Sequence, residues 1–356
     1  MTVLRPVERA DIPALQAMVE RSSELLTGMS SLVPDPGHVE ARVEGSLAAF
    51  ASEPETPGEE SYLFVLDHQG DVWGMSGIIA AVGLTEPFWS YRVGSLVNSS
   101  RELGIYKSHP ILFLTNDYTG TAELCSLFLD PAHRGANAGR FLSLGRMLFL
   151  AEHPDRFADR VIAEMRGVID ENGRSPLWRG LGIHFFDLPF GEADDIFGRG
   201  NKQFIAELMP QHPVYIDLLP EAAQAVIGQV HERTRPALRM LESEGLRYEG
   251  YVDIFDGGPT VAAPIDALRT VAESVVCPAE SDDAPLAESA DEDPVGLLVS
   301  AGRREGYRCI AIEGPEPEPD APRVRLSGPE RQRLRIDPGD PVRVATIRPG
   351  EGRARG

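Results

Sequence analysis

Apolar positions in the first 170 residues fall into short runs broken by turn signals, which predicts strands alternating with a few helices. Val3 and Leu4 begin a strand, and Asp11-Ile12-Pro13-Ala14-Leu15 reads as a helix start, with Asp11 as N-cap and proline in the first turn. The stretch 51–61 (ASEPETPGEES) is rich in Pro and Glu and predicts a loop. Apolar runs at 62–67 and 72–82 are separated by Gln69-Gly70, a hairpin signal. Another short strand is expected at 111–114, and a longer one at 123–129 (ELCSLFL) that stops at Asp130-Pro131. A glycine-bearing loop at 133–139 leads into 140–150, whose apolar residues recur at helical spacing. Residues 160–166 (RVIAEMR) read as a strand again.

From Ser175 to Pro259 helices and short strands alternate. A faint internal echo is present: Trp178-x3-Gly182-x2-Phe185 recurs as Leu241-x3-Gly245-x2-Tyr248. Each copy reads as a helix passing through a glycine cap into a strand, as a duplicated core would leave it. Residues 278–294 form a low-complexity acidic linker. Beyond it, 295–299, 307–312, 324–326 and 342–347 predict short strands, with 313–322 (EGPEPEPDAP) a loop between two of them. So few strands make a thin core, so this small β barrel or sheet must lie against the main body. The expected organisation is a main domain over 1–277, the linker, and a small β domain over 295–356.

Composition narrows the function classes. A chain of 356 residues suggests about two domains and needs no disulfide or metal staples. No run approaches the roughly 18 apolar residues of a membrane span, and the start, MTVLRPVERAD, has no apolar signal region. Three cysteines, Cys125, Cys277 and Cys309, give neither a disulfide framework nor a zinc site, so a reducing cytoplasm is expected. The formal net charge is −21, with 12 acids against 3 bases in 279–322 but 9 arginines against 4 acids in 323–356. Such a field disfavours nucleic acid and anionic membranes. It suits a cationic small molecule, or serves solubility alone.

The strongest local chemistry lies at 123–150: strand, proline stop, glycine loop, helix. Backbone N–H groups at such a helix start can bind phosphate oxygens, and Arg134, Gly135, Asn137, Gly139 and Arg140 supply close approach and positive charge. No Gly-Lys-Ser/Thr follows and no Gly-x-Gly-x-x-Gly is present, so neither a P-loop nor a dinucleotide fingerprint is meant. An ordinary strand-to-helix turn is the plain alternative.

The run Arg134-Gly135-Ala136-Asn137-Ala138-Gly139 resembles the coenzyme-A pyrophosphate loop of the GCN5-related N-acyltransferases, with Asn137 where glycine is usual. Asparagine tolerates positive φ, so that departure is mild. Longer blocks resemble the arginine N-succinyltransferase family. They are Ser31-Leu32, 91–94 (YRVG), Asn116-Asp117, 123–131 (ELCSLFLDP), 163–168 (AEMRGV), Ser175-Pro176, 204–210 (FIAELMP), 226–231 (VIGQVH) and 253–259 (DIFDGGP). The departures are SSLVPD at 30–35 and the acidic linker.

The resemblance implies an α+β fold: the mixed sheet of the acyl-CoA N-acyltransferases flanked by helices, plus the small C-terminal β domain. It implies transfer of succinyl from succinyl-CoA, a co-substrate and not a resident cofactor, to the α-amino group of L-arginine. Ornithine or another acyl donor stays open, as does a non-catalytic subunit of a hetero-oligomer; the expected assembly is a homo-oligomer or a hetero-oligomer with a paralogous subunit. It also implies His231, in the VIGQVH block, as proton donor, and Leu127 as a succinyl-CoA contact through its backbone amide. No other histidine forms a metal-like pair, so no metal is expected. Alternation places Cys125, Leu127 and Leu129 on one face. No base is evident beside Cys125, so direct transfer is favoured over an acyl-enzyme. For the succinyl carboxylate, Arg92 and Arg166 are candidates; for the guanidinium, Glu123, Glu164 and Glu207. Glu164 and Arg166 share a strand face, where an ion pair between them is the structural alternative.

Overall fold

The computed structural model describes residues 2–25, 35–135, 137–198, 207–281 and 295–347. Its strands are β1 (Val3–Pro6), β2 (Ser61–His68), β3 (Asp71–Ile79), β4 (Ser90–Ser100), β5 (Ile105–Thr115), β6 (Ala122–Leu129) and β7 (Arg160–Glu164). Then follow β8 (Val214–Tyr215), β9 (Arg247–Val252), β10 (Pro259–Pro264), β11 (Val275–Ser281), β12 (Val295–Ala301), β13 (Arg308–Gly314), β14 (Val324–Leu326) and β15 (Pro341–Ile347). All join one mixed sheet in the order β14-β11-β15-β12-β13-β1-β2-β3-β6-β7-β10-β9-β4-β5-β8. Pairing is antiparallel except for β6 with β7 and β11 with β14.

The apolar run of β2 follows from burial on both faces. Tyr62, Phe64 and Leu66 enter one core with helix α3 (Ala138–Glu152), while Leu63 and Val65 enter another. Helices α1 (Ile12–Leu25) and α2 (Pro36–Ala51) cover that second face through Leu15, Met18, Val39 and Val43. The β2–β3 hairpin turns at Gln69-Gly70 as expected, with φ of 59° and 96°.

Asp11 is not the cap of α1. It closes a one-turn 3-10 helix, Arg9–Asp11, by accepting the Glu8 N–H at 2.7 Å, and it takes Arg5 in a two-pronged ion pair. The 111–114 strand is the end of an eleven-residue strand, and β4, its hairpin partner, went unread because SYRVGSLVNSS lacks an apolar run. The internal echo does not hold. Gly245 (φ 108°) leads from helix Arg235–Ser243 into β9, but Gly182 is helical (φ −59°) and Phe185 lies in helix Ile183–Phe186.

The C-terminal strands appear where expected, but they continue the main sheet instead of closing a barrel: β13 pairs with β1 at Leu4↔Cys309. Leu298 and Ala345 share the α3 core, while Leu297, Val299 and Val344 form their own cluster on the other face. The first four residues assigned to the acidic linker, 278–281, belong to β11, paired with β15 and β14. The rest of the linker, Ser30–Pro34 of the SSLVPD stretch, and 204–206 lie outside the described residues.

Candidate active site

Strand β6 carries an irregularity that alternation does not anticipate. Phe128 faces Met75 and Cys125 faces Gly77, so Ser126 and Leu127 together oppose Ser76. Ser126 adopts φ 52°, and Arg42 donates to its hydroxyl at 2.7 Å. This is a β-bulge, which inserts one residue and shifts side-chain parity beyond it. Leu124, Leu127 and Leu129 therefore meet the α3 core, and Phe128 the α1/α2 core. The expected common face for Cys125, Leu127 and Leu129 is thereby corrected. Burial raises the pKa of the Cys125 thiol, leaving it a protonated, poor nucleophile.

On the other side of β6 the sheet splits. Strands β6 and β7 run parallel and are paired only at Ala122↔Val161 and Glu123↔Ile162. Past Glu123 the β7-facing edge of β6, including the bulge, borders a cleft of about 180 Å³ that opens to solvent. Glu123, Leu127, Arg146, Glu164, Arg166 and Thr234 are among its lining.

The predicted phosphate loop lies at the start of α3. Asp130 caps a short turn, Pro131–His133, then Gly135 (φ 143°) and Asn137 (φ 61°, ψ 11°) bend the chain into the helix. Asn137 occupies the N-cap position in the left-handed region, and its side chain makes no cap hydrogen bond. A Cβ on Gly139 would touch only Leu129 at 3.7 Å, and one on Gly135 nothing within 4 Å. The chain's own packing therefore requires neither glycine, though Gly135 is favoured by its φ. Arg134 is exposed; Arg140 is half-buried, and burial together with Arg269 lowers its pKa.

His231 is tied to the end of β7. Its backbone N–H donates to the Arg166 carbonyl at 2.8 Å, beside a bridge between Gly167 and Val230. Its Nδ1 accepts the Arg233 N–H at 3.1 Å, so a neutral ring carries its proton on Nε2. Burial, then Arg166 and Arg233, lower the imidazole pKa. His231 does not itself line the cleft, but its neighbours Arg166 and Thr234 do.

Of the other candidates, Glu123, Glu164 and Arg166 converge on the cleft. Arg92 does not: it is exposed on β4 with its guanidinium 5.7 Å from the Tyr251 ring centre. Glu207 is exposed and outside the lining as well. The Glu164–Arg166 ion pair does not form; Arg166 Nε is buried without a hydrogen-bond partner, and the charges of Asp256 and Asp194 act on it only through space. Sequence reasoning missed Arg146, fully buried on α3, and the carboxyl pair Asp253 and Asp256. Burial and the charge of Asp253 push the Asp256 pKa well above the carboxylate range. The only sequence signal for that pair was the DIFDGGP block itself. Among the described residues, no three His, Cys, Asp or Glu side chains gather as a metal site.

The family model described as arginine N-succinyltransferase beta subunit matches residues 2–270. The chain belongs to the arginine N-succinyltransferase family. Arginine N-succinyltransferase from Yersinia pestis (strain Pestoides F) is 46% identical over 98% of each chain. That from Salmonella paratyphi B is 43% identical, again over 98% of each. The structure of arginine/ornithine succinyltransferase subunit AI from Pseudomonas aeruginosa superposes with a TM-score of 0.85 at 35% identity, covering 97% of this chain and 98% of that one. The chain is thus an acyltransferase with the mixed-sheet N-acyltransferase fold expected from its 134–139 loop. No helix among the described residues is long and apolar enough to cross a membrane.

Proposed function

We propose that this arginine N-succinyltransferase family member moves succinyl from succinyl-CoA to the α-amino group of L-arginine, in the cytoplasm, giving N2-succinyl-L-arginine and CoA. The observation that carries the reading is the bulge at Ser126-Leu127, on the edge of β6 where β7 turns away. A strand edge without a neighbouring strand offers backbone N–H groups to a ligand laid along it, as a pantetheine arm would be. The uncapped start of α3 takes the pyrophosphate, with Gly135 and Gly139 leaving room and Arg134 and Arg140 supplying charge. Succinyl-CoA is a co-substrate, and no resident cofactor is needed.

In the reaction the neutral amine attacks the thioester carbonyl, whose oxygen gains charge and is stabilised by the Leu127 amide. The tetrahedral intermediate then loses thiolate. The neutral His231 ring takes the proton shed by the attacking nitrogen, and the imidazolium so formed donates from Nε2 to the departing sulfur. Glu123 and Glu164 stand in the cleft as anionic partners for the substrate guanidinium. Arg166 is there too, as a cation for a carboxylate, with Asp194 and Asp256 partly offsetting its charge. No step uses Cys125.

A second reading rests on the Pseudomonas aeruginosa relative, an arginine/ornithine succinyltransferase subunit AI. Ornithine would then be accepted beside arginine, and the chain would work as a homo-oligomer or beside a paralogous subunit. Thiol release from succinyl-CoA, with arginine, ornithine or lysine as acceptor and acetyl-CoA as control donor, tests both. Release confined to succinyl-CoA with arginine supports the first reading. No release with any pair abandons it for a non-catalytic subunit.

The loop assignment has its own test. Arg134→Ala is expected to raise the succinyl-CoA KM about tenfold, with kcat changed less than twofold, since an exposed cation on a ground-state phosphate contributes uniform binding. Unaltered CoA affinity by calorimetry would remove the loop from the site.

A further inference from the structure

Arg146 is the most deeply buried charge lining the cleft. It projects from α3 and is 1% exposed. Its Nη1 donates to the carbonyls of Gly77 (2.7 Å) and Cys125 (2.8 Å), on the two strands flanking the bulge. Its Nε is buried with no hydrogen-bond partner, and the carboxylate charge acting on it, that of Glu123, makes no ion pair with it. Burial lowers its pKa to about 10, so the group remains a cation at neutral pH. Leaving a buried guanidinium without a directly paired counter-charge is costly. The other buried arginines are better satisfied. Arg5 is paired with Asp11 and Asp67, while Arg156 donates from Nε to the Tyr62 hydroxyl and from Nη2 to the Ala49 and Ser52 carbonyls. Neither lines the cleft.

Position suggests what the missing counter-charge is. Counting along α3, Arg146 lies eight residues past Ala138, about 12 Å down the axis from the phosphate loop. Its bond to the Cys125 carbonyl fixes the guanidinium just before the bulge, on the side away from that loop. An acyl-CoA with its pyrophosphate at 134–140 and its thioester at Leu127 would direct its acyl tail this way. We propose that Arg146 binds the terminal carboxylate of the acyl group and so makes the site selective for dicarboxylic acyl donors. The assignment rests on the reading of succinyl-CoA as donor. It places donor recognition on α3, beside the thioester end of the bulge, and not on Arg166 beyond the end of β7, whose Nε is likewise buried without a partner.

The test compares succinyl-CoA with butyryl-CoA, which has the same carbon chain but a methyl in place of the carboxylate. In the wild-type chain succinyl-CoA is expected to be favoured by about 10²-fold in kcat/KM. Arg146→Gln should lower kcat/KM for succinyl-CoA by about that factor, while butyryl-CoA changes less than threefold. Arg146→Lys should restore part of the preference, because the charge is kept. Equal losses with both donors would mean that Arg146 only staples β3 to β6, and would overturn the assignment. A wild type without preference for succinyl-CoA would instead sink the donor reading and take this one with it. If Arg146→Gln does not fold, a crystal structure of the wild-type chain with a non-hydrolysable thioether analogue of succinyl-CoA decides. A carboxylate on Arg146 supports the proposal, and one on Arg166 or in solvent overturns it.

Discussion

Replacing His231 with alanine is expected to reduce kcat by about 10²- to 10⁴-fold, the usual span for a lost general acid, while leaving the fold in place. The two effects separate because of how the residue is held. Its backbone N–H, which donates to Arg166, survives the substitution, and the side chain's one fixed bond is from the Arg233 N–H to Nδ1. Losing that local cap costs about 1 kcal/mol. The pH profile supplies a second reading. Positive neighbours and burial disfavour the imidazolium, so the pKa sits below 6.5 and the ring stays neutral as pH falls to that point. The acid limb of kcat should therefore lie below pH 6.5. Arg166→Gln removes one positive neighbour, raises the His231 pKa and moves that limb to higher pH. Turnover by His231→Ala within a few-fold of wild type would take the histidine out of the mechanism.

What could be read from the sequence tracks how local the physics is. The β2–β3 hairpin and the passage from β6 through the loop to α3 were legible because turn residues and helical spacing act within a few positions. Asn137 at φ 61° is one such local rule obeyed. The bulge was not legible. ELCSLFL is a plain apolar strand, and only the register with β3 shows that one residue is extra. That one residue corrects the facing of Cys125. Arg146 was invisible for a related reason: within RFLSLGRMLFL it reads as an ordinary helical arginine, and only the sheet packed over α3 removes it from water. Arg166 and Glu164 looked like an ion pair from spacing alone. The structure instead forms no such pair, and the carboxylate charges that act on Arg166 are those of Asp256 and Asp194, from distant segments.

The turn that carries Asp256 is the basis of the second large effect, expected for Gly258→Ala. Gly258 has no unusual backbone angle to explain it. Its place does: a Cβ there would lie 1.9 Å from the Met165 carbonyl oxygen, 2.5 Å from the Gly167 nitrogen and 2.9 Å from the Arg166 carbonyl carbon. All three are backbone atoms, so no side chain can rotate away, and the two segments must separate. Separation breaks the latch in which Asp256 accepts the N–H groups of Gly258 (2.8 Å) and Gly167 (2.7 Å) and Met165 donates to Pro259 (3.0 Å). Each buried group left unsatisfied costs about 1–3 kcal/mol, so the total loss should be about 4 kcal/mol or more. Thermal denaturation should show a fall of about 5 °C or more. Any folded fraction should have little turnover, since the displaced segment bears Arg166, whose carbonyl anchors His231. Gly45→Ala is the matched control. It lies in α2 with nothing within 4 Å of a new Cβ, and should be neutral or stabilising by about 0.5–1 kcal/mol. If Gly258→Ala melts within 2 °C of wild type, the contact between the 253–259 turn and the end of β7 is looser than these distances require, and it cannot be what holds His231 in place.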